Sequence, residues 1–245
     1  MGKVIICMPE YNEGSVLFDF VDEIKEQLLD VNFVIVDDNS SQEIKDQIIN
    51  KYNDRRDINL VLNEKNLGHG ISTLKALQEA IKLDFDIVIG VDGDGQFLAT
   101  DIKKCLDYLN SDKYLEIVEG VRSHRDNDKW FRKIVSMVTR ILIFFKVGIL
   151  PQDANTPLRV YRQETLKRIL AKVPENSMIP NLHISKLTRQ MKINFKQISV
   201  KSLPRGGGNK KELIQGVTWK QRFSQIPSKR FIKFCIKAIN EWVRN

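Results

Sequence analysis

The chain has 245 residues, 42% of them hydrophobic and 29% charged, and a net charge of +8. This describes a globular protein with a substantial core, one large α/β domain or a domain with a small appendage. Cys7, Cys105 and Cys235 are odd in number, far apart and in apolar settings, which argues against a disulfide framework; no CxxC or histidine cluster suggests zinc.

The first apolar run, over residues 3–8, predicts a strand that starts directly at the N-terminus, with no signal peptide expected, and ends in Pro9-Glu10-Tyr11-Asn12-Glu13. Apolar positions 16, 17, 20, 21, 24 and 28 then form a helical stripe. Residues 33–36 read as a second buried strand ending in Asp37-Asp38-Asn39-Ser40-Ser41, and Ser40 or Ser41 can cap the helix that follows. A third strand, Ile58 to Leu62, leads through Asn66-Leu67-Gly68-His69-Gly70 into another helix. Ile87 to Val91 is the central strand, and Asp92-Gly93-Asp94-Gly95-Gln96 closes it. Helix is expected over 101–109, strand from Leu115 to Val121, helix over 129–147, helix over 163–171 and strand over 193–203.

Strand and helix alternate with short connections, which predicts a mostly parallel, doubly wound sheet flanked by helices. Ligands of such sheets bind outside the carboxyl ends of the strands. Three polar clusters, PEYNE, DDNSS and DGDGQ, fall at that edge. Asp92 and Asp94 repel one another unless a cation sits between them, and a hard divalent ion that keeps several waters suits so sparse an oxygen site. A DxDG string also opens calcium-binding EF-hand loops, but position twelve of that loop is Lys103 here. Gly68-His69-Gly70 lacks the third glycine of a dinucleotide fingerprint.

Charge is uneven. From Lys201 onward, eleven basic residues face only Glu212 and Glu241, a net +9 that leaves the first 200 residues at −1. A basic segment on a near-neutral body points to an anionic membrane or a phosphorylated acceptor, and no recognised nucleic-acid motif accompanies it. The helix expected over 228–244 carries Phe231, Phe234, Cys235, Ala238, Ile239, Trp242 and Val243 at helical spacing, with Lys and Arg around the rest. That pattern suits a bilayer headgroup region, with a terminal helix docked on the domain as the alternative. Residues 129–147 are too short and too charged for a membrane span, leaving a core helix or an interfacial one.

Taken in order, these pieces resemble the inverting glycosyltransferases of GT-A family 2, most of all the dolichol- or polyprenyl-phosphate sugar transferases. PEYNE is similar to their PxYNE, VDDNS to VDDxS, NLGHG to NxGxG, VDGDGQ to DxDxQ, and GVR and WFRK to GxR and xFRK. QDANTPLRVYR resembles DxxSGFRLYR, and RGGGNKK fits RxxGxSK at its Arg, Gly and final Lys. Pro157 and Leu158 depart from Gly-Phe, Lys210 from Ser, and no transmembrane pair follows.

The resemblance implies a GT-A, Rossmann-like catalytic domain over 1–215 and a basic amphipathic segment over 216–245. It implies a Mg²⁺ or Mn²⁺ ion held by Asp94, with Asp92 and Gln96 nearby, that neutralises a departing nucleoside diphosphate. Asp37 and Asp38 would meet the base or ribose in a pocket lined by Pro9, Tyr11 and Glu13; capping of a helix N-terminus is the structural alternative for one of them. On the acceptor side, Arg122, Arg205 and Lys211 are candidate cations for a lipid phosphate, and Asp153 is the candidate base or orienting carboxylate. The expected partners are a nucleoside diphosphate sugar, a polyprenyl phosphate and an anionic membrane surface, with the chain cytoplasmic and peripheral at the inner face. A saccharide hydroxyl is the alternative acceptor, and a catalytically idle scaffold is a third reading that the intact DGDGQ counts against.

Overall fold

The computed structural model describes residues 2–122, 130–203 and 229–244. The strands are β1 (Val4–Glu10), β2 (Val31–Asp37), β3 (Ile58–Leu62), β4 (Ile87–Gly90), β5 (Ile117–Arg122), β6 (Arg159–Arg162) and β7 (Phe195–Val200). The helices are α1 (Ser15–Gln27), α2 (Gln42–Tyr52), α3 (His69–Ile81), α4 (Ala99–Ser111), α5 (Trp130–Val147), α6 (Gln163–Leu170), α7 (Pro180–Gln190) and α8 (Lys229–Arg244). The strands form one sheet in the order β3-β2-β1-β4-β6-β5-β7. All run the same way except β6, which is antiparallel to both β4 and β5. The expected mostly parallel sheet is therefore present, with one reversed strand that a simple alternation of strand and helix does not signal.

Central strands buried on both faces need apolar residues on both, and β1 is buried at every position. Val4, Ile6 and Met8 join α1, α2 and α4 in one core layer, with Leu17, Phe20, Phe33 and Ile102. Ile5 and Cys7 point to the other layer, with Val34 of β2 and Leu74, Leu77, Tyr161 and Ile184 of α3, β6 and α7. Both β1 and β2 run further than the apolar pattern indicates, to Glu10 and Asp37, which stand opposite each other in register. A parallel neighbour keeps supplying ladder bonds after the apolar run ends. From β1 the chain builds outward through β2 and β3, then places β4 on the other side of β1. The carboxyl ends of β1 and β4 therefore flank a topological switch point, where open sheets of this kind bind ligands.

Helix α7 carries polar residues into the core. Every residue from Pro180 to Arg189 is buried, including His183, Lys186 and Arg189. Its burial rests on specific polar partners. Glu119 of β5 is fully buried; its Oε1 accepts from Arg159 Nε (3.3 Å) and Arg189 Nη1 (3.4 Å), its Oε2 from Arg189 Nη2 and Gln197 Nε2 (both 3.0 Å). Arg159, also fully buried, donates onward to Asn181 Oδ1 at 3.0 Å and to the Ala154 carbonyl at 3.3 Å. Burial alone would raise the Glu119 carboxyl; the two guanidiniums override it and hold it below the ordinary carboxylate range. The network ties β5, β6, α7 and β7 together. Glu119→Ala strands two buried guanidiniums without their counter-charge and is expected to cost about 3–5 kcal/mol in urea unfolding. A loss under about 1 kcal/mol would show that water reaches the network.

Candidate active site

The turn after β4 leans on β1: Val91 N donates to the Cys7 carbonyl at 3.1 Å and Gly93 N to the Pro9 carbonyl at 3.3 Å. The contact is close enough that a methyl group on Gly93 would stand 3.0 Å from Leu17 Cδ1 and 3.3 Å from Pro9 O. Gly95 has φ +68°, a left-handed conformation that favours glycine. The two glycines thus fold the turn tightly and set Asp92 and Asp94 at the switch point. Asp94 is 9% exposed, and its Oδ1 accepts the Gln96 amide at 3.1 Å. Asp92 Oδ1 is buried and has no hydrogen-bond partner. His69 Nε2, at the start of α3, lies 3.3 Å from that oxygen without the alignment of a hydrogen bond.

A buried carboxylate oxygen left unsatisfied is costly, and a cation beside it would remove the cost. The donor set of Asp92 and Asp94 fits a hard divalent ion. Among the described residues no three His, Cys, Asp or Glu side chains form a metal-holding group, so such an ion would need further oxygens from water or a ligand. Gln96 has another task. Its Nε2 donates to the Leu203 carbonyl at 3.3 Å and its own carbonyl accepts the Leu203 amide at 2.8 Å. Lys201 N donates to Asp101 Oδ2 at 2.8 Å, so the chain leaving β7 is stitched to this turn. Arg205 and Lys211 lie outside the described residues.

At the ends of β1 and β2 a second acidic group assembles. Ser40 Oγ donates to Glu10 Oε1 at 2.7 Å, and the Asn12 amide donates to Ser40 Oγ at 2.8 Å. The Ser40 amide lies 3.2 Å from both oxygens of Asp37. Neither serine caps α2 through its side chain as the sequence suggested; Ser40 is drawn into the acidic pair instead. Asn12 and Asn39, with φ +56° and +62°, let the two loops turn toward one another. Asp38 neither caps α2 nor faces open solvent. Its oxygens accept the Leu67 and Gly68 amides at 2.8 Å and Asn63 Nδ2 at 3.1 Å, so it fixes the turn that leads into His69. Pro9 is buried in β1, Glu13 is half-buried, and Tyr11 is 43% exposed at the rim.

Glu10 was not singled out by the sequence pattern, because it reads as one polar residue in a loop; its register with Asp37 is the signal, and that needs the sheet. Burial first, then hydrogen bonding to Asp37, pushes its carboxyl from 4.5 up to about 8. Between those values the folded chain holds a proton that the unfolded chain has lost, so this group's contribution to stability falls as pH rises through the window. Glu10→Gln keeps the acceptor for Ser40 and removes the titration. It should raise the melting temperature at pH 8.5 relative to the parent chain and change it little at pH 5; an equal change at both would remove the raised acid.

On the far side of the switch point, Arg122 ends β5 and Asp153 lies in the loop before β6. The sequence assigned them separate tasks, and the structure pairs them: Nε donates to Oδ2 at 2.8 Å and Nη2 to Oδ1 at 3.2 Å. The Asp153 side chain is 2% exposed and that of Arg122 20%. The loop is held by Thr156 Oγ1 on the Gly120 carbonyl, Arg159 on the Ala154 carbonyl and Arg140 Nε on the Pro151 carbonyl. The edge thus offers an acidic turn suited to a cation, an acidic pocket beside it, and a carboxylate-oriented guanidinium opposite.

The chain is 26% identical over 188 residues to the undecaprenyl-phosphate 4-deoxy-4-formamido-L-arabinose transferase of Proteus mirabilis, covering 74% of this chain and 56% of that protein. It is 30% identical over 126 residues to the O-antigen chain rhamnosyltransferase RfbN of Salmonella typhimurium, covering 51% of this chain and 38% of that one. It therefore spans about half the length, or less, of these curated relatives. Among solved structures, the mannosyltransferase PcManGT of Pyrobaculum calidifontis, in complex with GDP-Man and Mn²⁺, superposes with a TM-score of 0.58 at 18% identity, covering 100% of this chain and 65% of that one, which establishes the GT-A fold. The glycosyl transferase family 2 pattern matches residues 5–170, β1 to the end of α6, and the chain belongs to that family of glycosyltransferases.

Proposed function

We propose that this enzyme moves a sugar from a nucleoside diphosphate sugar to a polyprenyl-type phosphate, working as a peripheral protein on the inner face of a membrane. The observation that carries the acceptor assignment is an apolar surface next to the Asp153 loop. On α5, Met137, Val138, Ile141, Phe144 and Phe145 are exposed, Phe145 to 80%; on α8, Phe234, Ile236, Ile239 and Val243 are exposed. Exposed apolar surface on this scale marks an interaction site, and exposed Lys233 and Lys237 beside it suit anionic headgroups. No helix among the described residues is long and apolar enough to cross a membrane. The Proteus mirabilis relative, named for undecaprenyl phosphate, supports the same acceptor class.

Asp94 and Asp92 would hold a Mg²⁺ or Mn²⁺ ion, which supplies positive charge to the diphosphate as it leaves. Mn²⁺ in the PcManGT complex supports this reading. The pocket of Pro9, Tyr11, Glu13 and Asp37 takes the nucleoside, with Asp38 shaping it through the 63–68 turn. A phosphate nucleophile is already anionic near neutral pH, so the site needs cations that place it in line with the anomeric carbon. Asp153, locked bidentate on Arg122, orients that guanidinium toward the phosphate; Arg205 and Lys211 supply the remaining charge. The second reading, transfer to a saccharide hydroxyl, draws on the likeness to the Salmonella rhamnosyltransferase, and there Asp153 would act as base.

Asp94→Asn should lower turnover at least about a hundredfold, because a ligand of the proposed cation is lost and with it the positive charge facing the leaving group. For a phosphate acceptor, Arg205→Ala and Lys211→Ala should each lower acceptor-dependent turnover about ten- to two-hundredfold with donor binding by calorimetry nearly unchanged, and Asp153→Asn should be milder than Asp94→Asn. Asp153→Asn as damaging as Asp94→Asn, with Arg205→Ala silent, would assign the hydroxyl acceptor instead.

The membrane face has its own test. Phe145→Asp combined with Ile236→Asp should abolish co-sedimentation with vesicles of anionic phospholipid and leave the melting temperature within about 2 °C. Unchanged sedimentation would remove the face.

A further inference from the structure

Helix α8 is not simply laid on the surface. Its last turn carries Glu241, an acidic residue in a basic helix, and Trp242, which is 4% exposed although most of the helix is open. The Glu241 carboxylate reaches the turn before α7: Oε1 accepts Ser177 Oγ at 2.5 Å and meets His183 Nε2 at 3.0 Å, while Oε2 accepts the Met178 amide at 2.9 Å. Helix α7 begins at Pro180 with no side-chain cap of its own. A carboxylate from α8 therefore stands where the orphan amides and positive dipole end of α7 favour one.

The turn that Glu241 holds is also the seat of α3. A methyl group on Gly70 would stand 2.1 Å from the Met178 carbonyl oxygen, so backbone meets backbone there, one residue from His69 and its 3.3 Å approach to Asp92. Trp242 reaches the opposite half of the site. It packs with Ile143, Ala154, Ile179 and Leu182, with the His183 ring centroid at 5.7 Å and Lys186 Nζ 5.4 Å from its own. Ala154 is the neighbour of Asp153.

We propose that Glu241 and Trp242 are positioning residues of the transferase site, Glu241 setting His69 beside Asp92 through the Ser177–Met178 turn and Trp242 setting the loop that carries Asp153. Two adjacent residues on the terminal helix thus brace the cation side and the acceptor side together. The helix whose outer face is proposed to meet the membrane is the one that braces the chemistry, so loosening it loosens both halves of the site.

Hydrogen exchange of the full chain, read by mass spectrometry, tests this from the fold alone. In Glu241→Ala, exchange over 67–72 should rise about tenfold, in Trp242→Ala exchange over 152–156 should do the same, and both should leave 4–10 and 31–37 in β1 and β2 unchanged. A rise confined to 174–183 and α8, or one uniform across the sheet, would overturn the proposal in favour of a purely local or global stabilising role. Mn²⁺ binding in the presence of UDP or GDP, followed by electron paramagnetic resonance, adds a readout that rests on the proposed metal site. Glu241→Ala should weaken it about threefold or more, and by less when His69→Ala is already present, because the two act through one contact. Additive losses would contradict that route. Absence of Mn²⁺ binding by the parent chain with either nucleotide would count against the metal reading, and the exchange result would still decide the positioning role.

Discussion

Carboxylates crowd one end of this sheet, and the rest of the site depends on how each is neutralised. Glu10, Asp37, Asp38, Asp92 and Asp94 all sit at the carboxyl ends of β1, β2 and β4 or in the turns that follow. Burying such charges without partners is prohibitive, so each must be protonated, hydrogen-bonded or paired. Glu10 keeps a proton with Asp37 and Ser40 beside it. Asp38 takes two backbone amides and an asparagine. Asp92 is the exception, with one buried oxygen that accepts no hydrogen bond and stands 3.3 Å from His69 Nε2. That oxygen is the feature that motivates the proposed cation at this edge.

The opposite side of the switch point is built on the contrary logic, with charge compensated in advance. Glu119 pairs with both Arg159 and Arg189 in the core, and the spare donors of Arg159 hold Asn181 and the Ala154 carbonyl. That network places the Asp153 loop, and Asp153 in turn aligns Arg122. A guanidinium pre-oriented by a buried carboxylate loses little freedom when it meets an anion. This side is hydrogen-bonded and charge-paired at the Asp153 loop and apolar toward α5 and α8.

Much of the first half was legible in the sequence. Unbroken apolar runs such as IVIG report strands buried on both faces, and their polar ends report the ligand edge, because both follow from local pattern. What escaped depends on partners far along the chain. Gln96 reads as a residue beside Asp94, and nothing local announces that its amide nitrogen also donates to the carbonyl of Leu203, 107 residues away. Helix α7 buries polar residues that read as solvent-facing, because their partners lie on β5 and α8. The reversed direction of β6 follows from pairing with β4 and β5, which no periodicity encodes. For α8, headgroup contact and docking were weighed as alternatives; Glu241 and Trp242 dock its end, and its apolar outer face stays exposed.

We propose that this edge transfers the sugar of a cation-bound nucleotide sugar to a lipid phosphate and releases the nucleoside diphosphate. The most direct measurement incubates the full chain and Mn²⁺ with labelled UDP-, GDP- and dTDP-sugars, each with polyprenyl phosphate, and follows label into organic extracts. The account predicts that one sugar nucleotide yields a lipid-soluble product, in which the sugar is joined to phosphate with inverted anomeric configuration, and that EDTA prevents it. Label that enters only water-soluble saccharide while polyprenyl phosphate stays unmodified would contradict it.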